Sequence, residues 1–350
     1  MNHAPAADVL GYRVGPDYWW VIIVKAVVIL LMLATAAAYG TYLERKVAAR
    51  IQLRIGPNRV GPFGLLQPAA DAVKLLFKEN VAPAGRERFI YFIAPAMAAA
   101  AAVFAYAAIP LSSVDTLNGY EIHWDVSHLN IGLLYILAVT SLGVYSIFLG
   151  GWSANSKYSL LGALRSSAQL ISYEMGVAFA LLGVVILSQS LDIEQIVNAQ
   201  HHAWFIVLQP LAFLLYFTGA LAETNRAPFD LPEAESELVA GYHTEYSGMR
   251  FGFYFLGEYI NMVTVCSIAT ALFLGGWLPI LPFHPFDWIP GIFWFLGKVA
   301  VLIFVMMWIR WTWPRLRYDK LMSLGWKVLL PLGLLNTAIT GAVVAIRAAQ

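Results

Sequence analysis

The chain has one cysteine, few charged side chains and no visible nucleotide-binding motif. The single thiol, Cys266 among 350 residues, excludes an internal disulfide and a cysteine-ligated iron–sulfur cluster, since clusters need several thiolates. Only 12% of the residues are charged, and no Gly-x-Gly-x-x-Gly follows a strand pattern. The net charge is +1, without the basic patch that nucleic-acid binding requires. We therefore expect no redox centre, no metal ion, no catalytic residue and no nucleic-acid partner.

Long apolar runs dominate what is present, since 60% of the residues are hydrophobic and the mean hydropathy is +0.67. Eight runs approach the ~20 residues that a helix needs to cross ~30 Å of hydrocarbon. They are Tyr18–Leu43, Arg88–Leu111, Asn130–Gly150, Leu164–Ser188, Trp204–Ala222, Phe251–Gly275, Gly291–Trp311 and Ser323–Ile346. The sequence predicts an all-α, polytopic integral membrane protein, a single membrane domain over residues 1–350 with eight transmembrane helices.

Basic residues alternate between successive connections. The connection after the first run holds nine lysines and arginines, and the next, residues 112–129, holds none. The alternation continues along the chain and follows the positive-inside rule. We expect both termini on the outer, periplasmic side of a bacterial inner membrane, with residues 44–88 and 223–250 as inner loops. Five of the seven histidines fall in predicted outward connections, where we expect them to be solvated: His123, His128, His201, His202 and His284.

The first inner loop predicts a helix that does not cross the membrane. Turn sequences at residues 56–58 and 61–64 are followed by apolar side chains at helical spacing up to Phe77. Gln67, Asp71, Lys74 and Lys78 occupy the opposite face. A short, two-sided helix of this kind is typical of the membrane interface, with anionic lipids or an acidic partner as its neighbours. Packing of its apolar face against neighbouring spans is the alternative, and the two are compatible.

Acidic residues cluster after the fifth apolar run, from Glu223 to Glu245. Carboxylates are costly beside hydrocarbon, so such a cluster predicts a functional site. A solvated acidic loop is the alternative, but Glu233 and Glu237 lie four apart, where like charges repel on a helix. Asp230 has the form of a helix cap, which predicts a short inner helix ending near Gly241.

Ionisable side chains also occur within the apolar runs themselves. Glu174, Glu258 and Lys298 lie inside predicted spans, where such groups usually face cavities or each other and form proton relays. Packing in a neutral or ion-paired form is the alternative for each. Near the span ends, extension of the side chain to the interface explains Arg165, Lys25 and Glu44.

Three long motifs combine glycine, proline and charged residues. The first runs from Glu44 through Gln52–Asn58 to Gly61–Pro68, and the second from Ala222–Leu231 to Tyr246. The third is Trp308–Arg310 with Pro314–Asp319. Together they resemble the H subunit of respiratory complex I, the NADH:quinone oxidoreductase. The resemblance extends over essentially the whole chain, including the number of spans.

The resemblance implies a membrane subunit that forms much of a quinone tunnel and couples quinone reduction to proton translocation. It implies quinone-site residues at the tunnel or its entrance: Glu44, Arg45, Arg54, Phe229 and Arg310. It also implies a charged path towards the membrane arm: Asp71, Tyr173, Glu174, Glu223, Arg226, Asp230, Glu233, Glu235, Glu237, Glu245, Glu258 and Lys298.

The same resemblance implies the partners and cofactors. Ubiquinone or menaquinone would be the substrate, while NADH, FMN and the iron–sulfur clusters would be bound by other subunits. Expected neighbours are the subunit with the terminal cluster, the hydrophilic quinone-site subunit, the small and antiporter-like membrane subunits, and lipids. One alternative is the related anchor subunit of a membrane-bound hydrogenase or another donor-linked ion pump. The others are a stand-alone transporter, for which the sequence shows no inverted repeat, and a purely structural anchor.

Overall fold

The computed structural model describes residues 8–9, 12–13, 19–113, 115–117, 120–122, 124–230, 240–279 and 289–349, which are mostly helical. The helices in these ranges are α1 (Trp19–Ile51), α2 (Gln67–Phe77), α3 (Arg88–Ala105), α4 (Gly132–Ser153), α5 (Lys157–Ser188), α6 (Ile193–Asn198), α7 (Phe205–Leu208), α8 (Pro210–Glu223), α9 (Gly248–Phe273), α10 (Gly291–Thr312), α11 (Tyr318–Leu324) and α12 (Leu330–Ala349). Short 3-10 turns occupy Pro62–Gly64, Tyr106–Ala108 and Gly241–His243, and a π-helical turn, Gly325–Leu329, joins α11 to α12.

Two small antiparallel hairpins accompany the helices. Strand β1 (Asp8–Val9) pairs with β2 (Tyr12–Arg13), and β3 (Asp115–Leu117) pairs with β4 (Tyr120–Ile122). Their strands of two or three residues are too short to form a sheet layer. The all-α prediction is confirmed for the architecture as a whole.

Seven helical segments in the described ranges are long and apolar enough to cross a membrane. They are Ile22–Ile51, Arg88–Ala108, Gly132–Ser153, Lys157–Ser188, Gly248–Phe273, Gly291–Thr312 and Tyr318–Ala349. Seven of the eight predicted runs therefore form such segments. A multi-pass membrane protein is the architecture that these segments support.

The fifth predicted span, Trp204–Ala222, is divided. Gln209 has φ −134° and ψ 61°, so α7 ends there, and α8 starts at Pro210, which lacks an N–H to continue the helix. The 14 residues of α8 reach about 21 Å at ~1.5 Å per residue, less than the ~30 Å hydrocarbon thickness. The eighth crossing stays a prediction.

Helix α9 lies at the centre of the bundle. Within its most apolar window 78% of the residues are buried, against 17% for α1. It packs against α3, α1, α10 and α8, while α5 packs against α4, α8 and α12. Gly257 of α9 lies against the backbone of Ala98 and Ala99 in α3, where a Cβ atom would approach to 3.2 Å. Small residues at such contacts let membrane helices come close together.

The predicted helix of the first inner loop is present as α2. Gly61 and Gly64 have φ values of 71° and 82° in the turn before it, a conformation that favours glycine. None of the α2 side chains is buried, and Phe77 is 87% exposed. Such apolar exposure suits a lipid or a partner surface, and the interfacial position of α2 stays a prediction.

Two further expectations concern loops. The helix predicted after Asp230 falls on residues 231–239, so Glu233, Glu235 and Glu237 lie outside the described residues, as do His123 and His284. The expectation for His128 was wrong. Its ring nitrogens lie 3.4–3.7 Å from the carboxylates of Asp125, Asp192 and Glu194. Acids far apart in the sequence are brought together by the helix packing, which local patterns do not reveal.

Candidate functional site

The candidate site is built around the end of α8 and the loop that follows it. We call this segment, residues 222–230, the strap. Inside it, Phe229 N–H donates to the Arg226 carbonyl at 2.8 Å, and Asn225 has φ 52°. Leu316 N–H donates to the Pro228 carbonyl at 3.0 Å, which ties the strap to the segment after α10. These bonds fold the strap back into the bundle, so that the Arg226 side chain points inward.

Arg226 connects two acidic groups from different helices. Its Nη1 donates to Glu44 Oε2 of α1 at 2.7 Å, and its Nε donates to Glu258 Oε1 of α9 at 2.7 Å. The guanidinium carbon also lies 4.2 Å from the centre of the Tyr259 ring. The residue is only 3% exposed. Its Nη2 has no hydrogen-bond partner among the described residues, which leaves one buried donor available.

Glu44 is held from three directions. Besides the Arg226 bond, it accepts a bond from the Tyr259 hydroxyl at 2.7 Å and one from Arg310 Nη1 at its other oxygen. Glu44 is 4% exposed, so these contacts replace most of its water. A buried carboxylate with this many donors is well compensated. We call Glu44, Arg226, Glu258, Tyr259 and Arg310 the central network.

The two acids of the central network balance its two guanidinium groups. Burial lowers the pKa of Arg226, but Glu258 and Glu44 raise it by more, so its pKa lies well above the ordinary value. Arg226 therefore stays protonated at any physiological pH. Removal of one partner would leave the others buried and unbalanced, which is where ion pairs of this kind become costly.

A cavity adjoins the network on the side of α3, α4, α5 and α8. Its volume is about 100 Å³, enough for several waters, since one needs at least ~10–15 Å³. The carboxyl groups on its wall are Glu174, Glu223 and Glu258, and polar side chains accompany them: Thr140, Ser141, Thr224, Asn225, Tyr242, Tyr254 and Asn261. Glu258 belongs to both the cavity and the central network, so the two are continuous.

The acids of the cavity have side-chain partners of their own. Glu174 accepts a bond from the Ser141 hydroxyl across the α4–α5 contact. Glu223, the last residue of α8, is hydrogen-bonded to Asn261 of α9. Grouped carboxyls inside an apolar bundle, with room for water between them, are suited to holding and passing protons.

Comparison with known proteins assigns the fold to a family. A sequence model of the family described as NADH dehydrogenase matches residues 24–341. The chain belongs to this NADH dehydrogenase family. It is 52% identical over 313 residues to an H subunit of the NADH-quinone oxidoreductase of Geobacter metallireducens, covering 89% of this chain and 93% of that protein. It is 54% identical over 308 residues to an H subunit of the NADH-quinone oxidoreductase of Geobacter sulfurreducens, covering 88% and 91%.

A third relative comes from a different genus. The H subunit of the NADH-quinone oxidoreductase of Protochlamydia amoebophila is 52% identical over 306 residues, covering 87% of this chain and 92% of that protein. The resemblance inferred from the three sequence motifs is therefore confirmed. Family membership makes the chain a membrane subunit of the NADH-quinone oxidoreductase complex, in which other subunits are its partners.

Several residues predicted for the quinone site or the charged path lie at the strap or beside it. Phe229 is 3% exposed and packs edge-on against Tyr173, with ring centres 5.3 Å apart. Asp230, at the end of the strap, pairs with Arg315 at 2.9 Å. The Tyr173 hydroxyl donates to the Leu321 carbonyl at 3.1 Å. The strap is thus in contact with residues predicted for both the quinone site and the charged path.

Three other predicted residues lie on the exposed inner loop. Arg45 pairs with Asp71 at 2.7 Å, with side chains 50% and 30% exposed. Arg54 donates to Gln52 Oε1 at 2.7 Å, and that bond is exposed. The structure therefore places these residues apart from the buried central network. Their predicted roles at the quinone site and path remain predictions.

Lys298 lies at the opposite end of α9 from Glu258 of the predicted path. Its Nζ donates to the carbonyls of Leu274, Gly276 and Leu278 at 2.7, 2.9 and 2.6 Å, and it lies 4.4 Å from the Trp204 ring centre. Along the α9 axis this is roughly 24 Å from Glu258, at ~1.5 Å per residue. These contacts fit a cation that caps the carboxyl end of a helix.

The backbone of Glu245 is fixed by an aromatic cluster at the amino-terminal end of α9. The Tyr91 hydroxyl donates to the Glu245 carbonyl at 2.5 Å, and the Tyr91 ring stacks on Tyr246 with centres 4.4 Å apart. His243 is packed between Tyr242 and Tyr254. Burial lowers the pKa of His243 to about 3, so it stays neutral in the native state. This cluster anchors the chain after the 231–239 segment.

Among the residues that sequence reasoning missed are Tyr259 of the central network and Asn261 of the cavity. Tyr259 and Asn261 lie one and three residues after Glu258, inside an apolar run that masks them. A period of 3.6 places Glu258 and Asn261 on the same helix face, and that signal would have found Asn261. The bond from Tyr259 to Glu44 joins residues 215 positions apart, and nothing local in the sequence indicates it.

Proposed function

We propose that this subunit forms the quinone tunnel of the complex and couples quinone reduction to proton translocation through the central network. The observation that supports this proposal most directly is that Arg226 bonds to both Glu44 and Glu258. Glu44 and Arg310 are the residues that the family resemblance assigns to the quinone side. Glu258 lines the cavity that also holds Glu174 and Glu223. The Arg226 guanidinium thus lies between the residues assigned to the quinone site and the acids of the proposed proton path.

The coupling that we propose is electrostatic. Reduction of quinone to quinol takes up two protons, so charge near the tunnel changes during turnover. Two unit charges ~4 Å apart interact by about 4 kcal/mol at an effective dielectric constant of ~20. A change of that size in the electrostatic energy at Glu44 alters the interaction of Arg226 with Glu258. Protons held by the acids of the cavity would then redistribute as a coupled group.

The chain's own residues supply the positions for this step. Glu44 is fixed by Arg310 and Tyr259, so it cannot turn away when the charge beside it changes. On the cavity side, Ser141 and Asn261 hold Glu174 and Glu223. The Nη2 donor of Arg226, which has no hydrogen-bond partner among the described residues, is available to a water or to a quinone oxygen.

The proposal includes a placement in the membrane. Eight crossings, with α7 and α8 together as the fifth, would put both termini on the periplasmic side of a bacterial inner membrane. The alternating basic loops support this placement. Exposed apolar side chains of α2 support its position at the inner interface, beside lipids or the hydrophilic quinone-site subunit. NADH, FMN and the iron–sulfur clusters would be held by partner subunits, and ubiquinone or menaquinone would be the substrate.

The test is the Glu223→Gln variant in the assembled enzyme in sealed vesicles. We expect NADH-driven proton translocation to fall strongly, because the cavity loses one of its acids. Glu79→Gln is the matched control, since Glu79 is an exposed acid of the first inner loop. Wild-type translocation and wild-type quinone reduction in Glu223→Gln would contradict the proposal. Labelling with a photoreactive quinone analogue provides a second test, with labels expected on peptides that contain Glu44 or Arg310.

A further inference from the structure

A buried glutamine on α5 holds both ends of the strap. Gln169 is 0% exposed, and its Nε2 donates to the Ala222 carbonyl at 2.9 Å and to the Phe229 carbonyl at 2.8 Å. These two carbonyls flank the residues from Glu223 to Pro228, with Arg226 between them. The Gln169 amide therefore fixes the distance between the two ends of the strap.

The orientation of this amide is set by chemistry. Both strap partners of Gln169 are carbonyl oxygens, which only accept, so the NH₂ group must face them. The amide oxygen, Oε1, points elsewhere and has no hydrogen-bond partner among the described residues. An apolar side chain at this position would remove the side-chain donor from both carbonyls, and a carboxylate would repel both. The Ala222 carbonyl would keep the Asn225 N–H at 3.2 Å, whereas the Phe229 carbonyl has no other donor among the described contacts. The site thus selects a neutral donor of this length.

Other contacts hold the strap less directly. Ser166, about one turn earlier on α5, lies 3.4 Å from Asn225 Oδ1, a long bond. Opposite α5, the bond from Leu316 N–H to the Pro228 carbonyl, at 3.0 Å, secures one end alone. Among the described contacts, Gln169 is the side chain that bonds to both ends. Loss of the Gln169 amide would allow the distance between the two ends of the strap to change.

We propose that Gln169 is a positioning residue, whose amide keeps the Arg226 guanidinium between Glu44 and Glu258. The inference deepens the proposed function and rests on it, because the consequence of a displaced Arg226 is a loss of coupling. Gln169 itself touches neither acid in a described contact. It acts on the central network through the strap backbone.

The competing interpretation is that Gln169 only stabilises the bundle. Gln209 offers a matched control, since it is a second buried glutamine, 4% exposed. Its Nε2 donates to the Gly183 carbonyl at 3.2 Å and to Thr340 Oγ1 at 2.9 Å, and its Oε1 also lacks a partner in the described residues. Substitution of either glutamine removes two buried hydrogen bonds, but only Gln169 touches the strap.

The experiment compares Gln169→Met with Gln209→Met in the assembled enzyme, because methionine is apolar and of similar length. We expect Gln169→Met to lower NADH-driven quinone turnover about tenfold, the equivalent of one hydrogen bond at ~1.4 kcal/mol. The number of protons translocated per electron should fall as well. Gln209→Met should keep both values within about twofold of wild type. Equal losses in the two variants would show a general structural role and overturn the proposal.

A double-mutant cycle with Arg226→Gln gives the second readout. If Gln169 acts through Arg226, then Gln169→Met adds nothing to Arg226→Gln, because the group that it positions is already gone. Multiplied losses in the double variant would overturn the proposal. So would failure of Gln169→Met to assemble while Gln209→Met assembles. Wild-type turnover and proton translocation in Arg226→Gln would instead contradict the proposed function. Failure of the Gln169 proposal is therefore distinguishable from failure of the proposed function.

Discussion

Replacement of Glu44 by glutamine removes a carboxylate that accepts bonds from both Arg226 and Arg310. The substituted amide keeps one acceptor oxygen, but its NH₂ group faces a guanidinium, so two donors oppose each other. The central network then has two guanidinium groups against the single carboxylate of Glu258. Breaking a buried ion pair by removing one partner costs about 3–5 kcal/mol. That is a large fraction of the ~5–15 kcal/mol that stabilises a typical domain.

The assay is thermal dissociation of the solubilised complex, followed on native gels. At ~2–4 °C per kcal/mol, we expect Glu44→Gln to lower the dissociation midpoint by roughly 6 °C or more. Asp319→Asn is the control, because Asp319 pairs with Arg317 at 3.3 Å on the exposed surface, with side chains 70% and 83% exposed. Such surface pairs are worth ~0–1 kcal/mol.

A charge-balanced double variant tests the reason for the loss. Glu44→Gln combined with Arg310→Gln restores one guanidinium against one carboxylate, so we expect the midpoint to recover by at least about half. A midpoint for Glu44→Gln that matches the Asp319→Asn control would refute the reasoning. Additive losses in the double variant would refute it as well, because they would show that charge balance does not matter.

Three further predictions follow from other sites. Lys298→Met should lower stability by about 3 kcal/mol, since three hydrogen bonds are lost; an unchanged dissociation midpoint would contradict the capping role. Gly183→Ala should destabilise by about 1–3 kcal/mol, because its Cβ would lie 2.8 Å from Gln209 Oε1 and 2.9 Å from Asn336 Nδ2; an unchanged midpoint would contradict this. His243, with its pKa lowered to about 3, binds its proton mainly in the unfolded state between pH 3 and about 6.5. Stability should therefore decrease as the pH falls through that window, by about 2 kcal/mol from pH 7.5 to pH 5, and His243→Phe should lose this component in midpoints measured at both pH values.

The apolar runs predicted the helices well, because seven of the eight runs form a helical segment of spanning length. The fifth run is the exception, since it breaks before Pro210, which lacks an N–H to continue the helix. Proline alone does not predict such a break in this chain, because Pro95 lies inside the unbroken helix α3.

The candidate site was predicted residue by residue but not as an arrangement. The family motifs predicted Glu44 for the quinone site and Arg226 for the charged path. The structure joins them in one bond across 182 sequence positions. Gln169 was not predicted, because its role depends on two backbone carbonyls that become neighbours only when the strap folds. Lys298 was assigned to the path by the family resemblance and by its position inside an apolar run, whereas its carbonyl partners are set by how α9 ends.

The most direct test of the central claim is the proton-to-electron ratio of Arg226→Gln in sealed vesicles, with Arg347→Gln as the matched control. Arg347 is exposed near the end of α12, so its replacement should leave the ratio unchanged. If Arg226 connects quinone chemistry with the acids of the cavity, its loss lowers the number of protons moved for each electron. A wild-type ratio in Arg226→Gln, at wild-type turnover, would contradict the account.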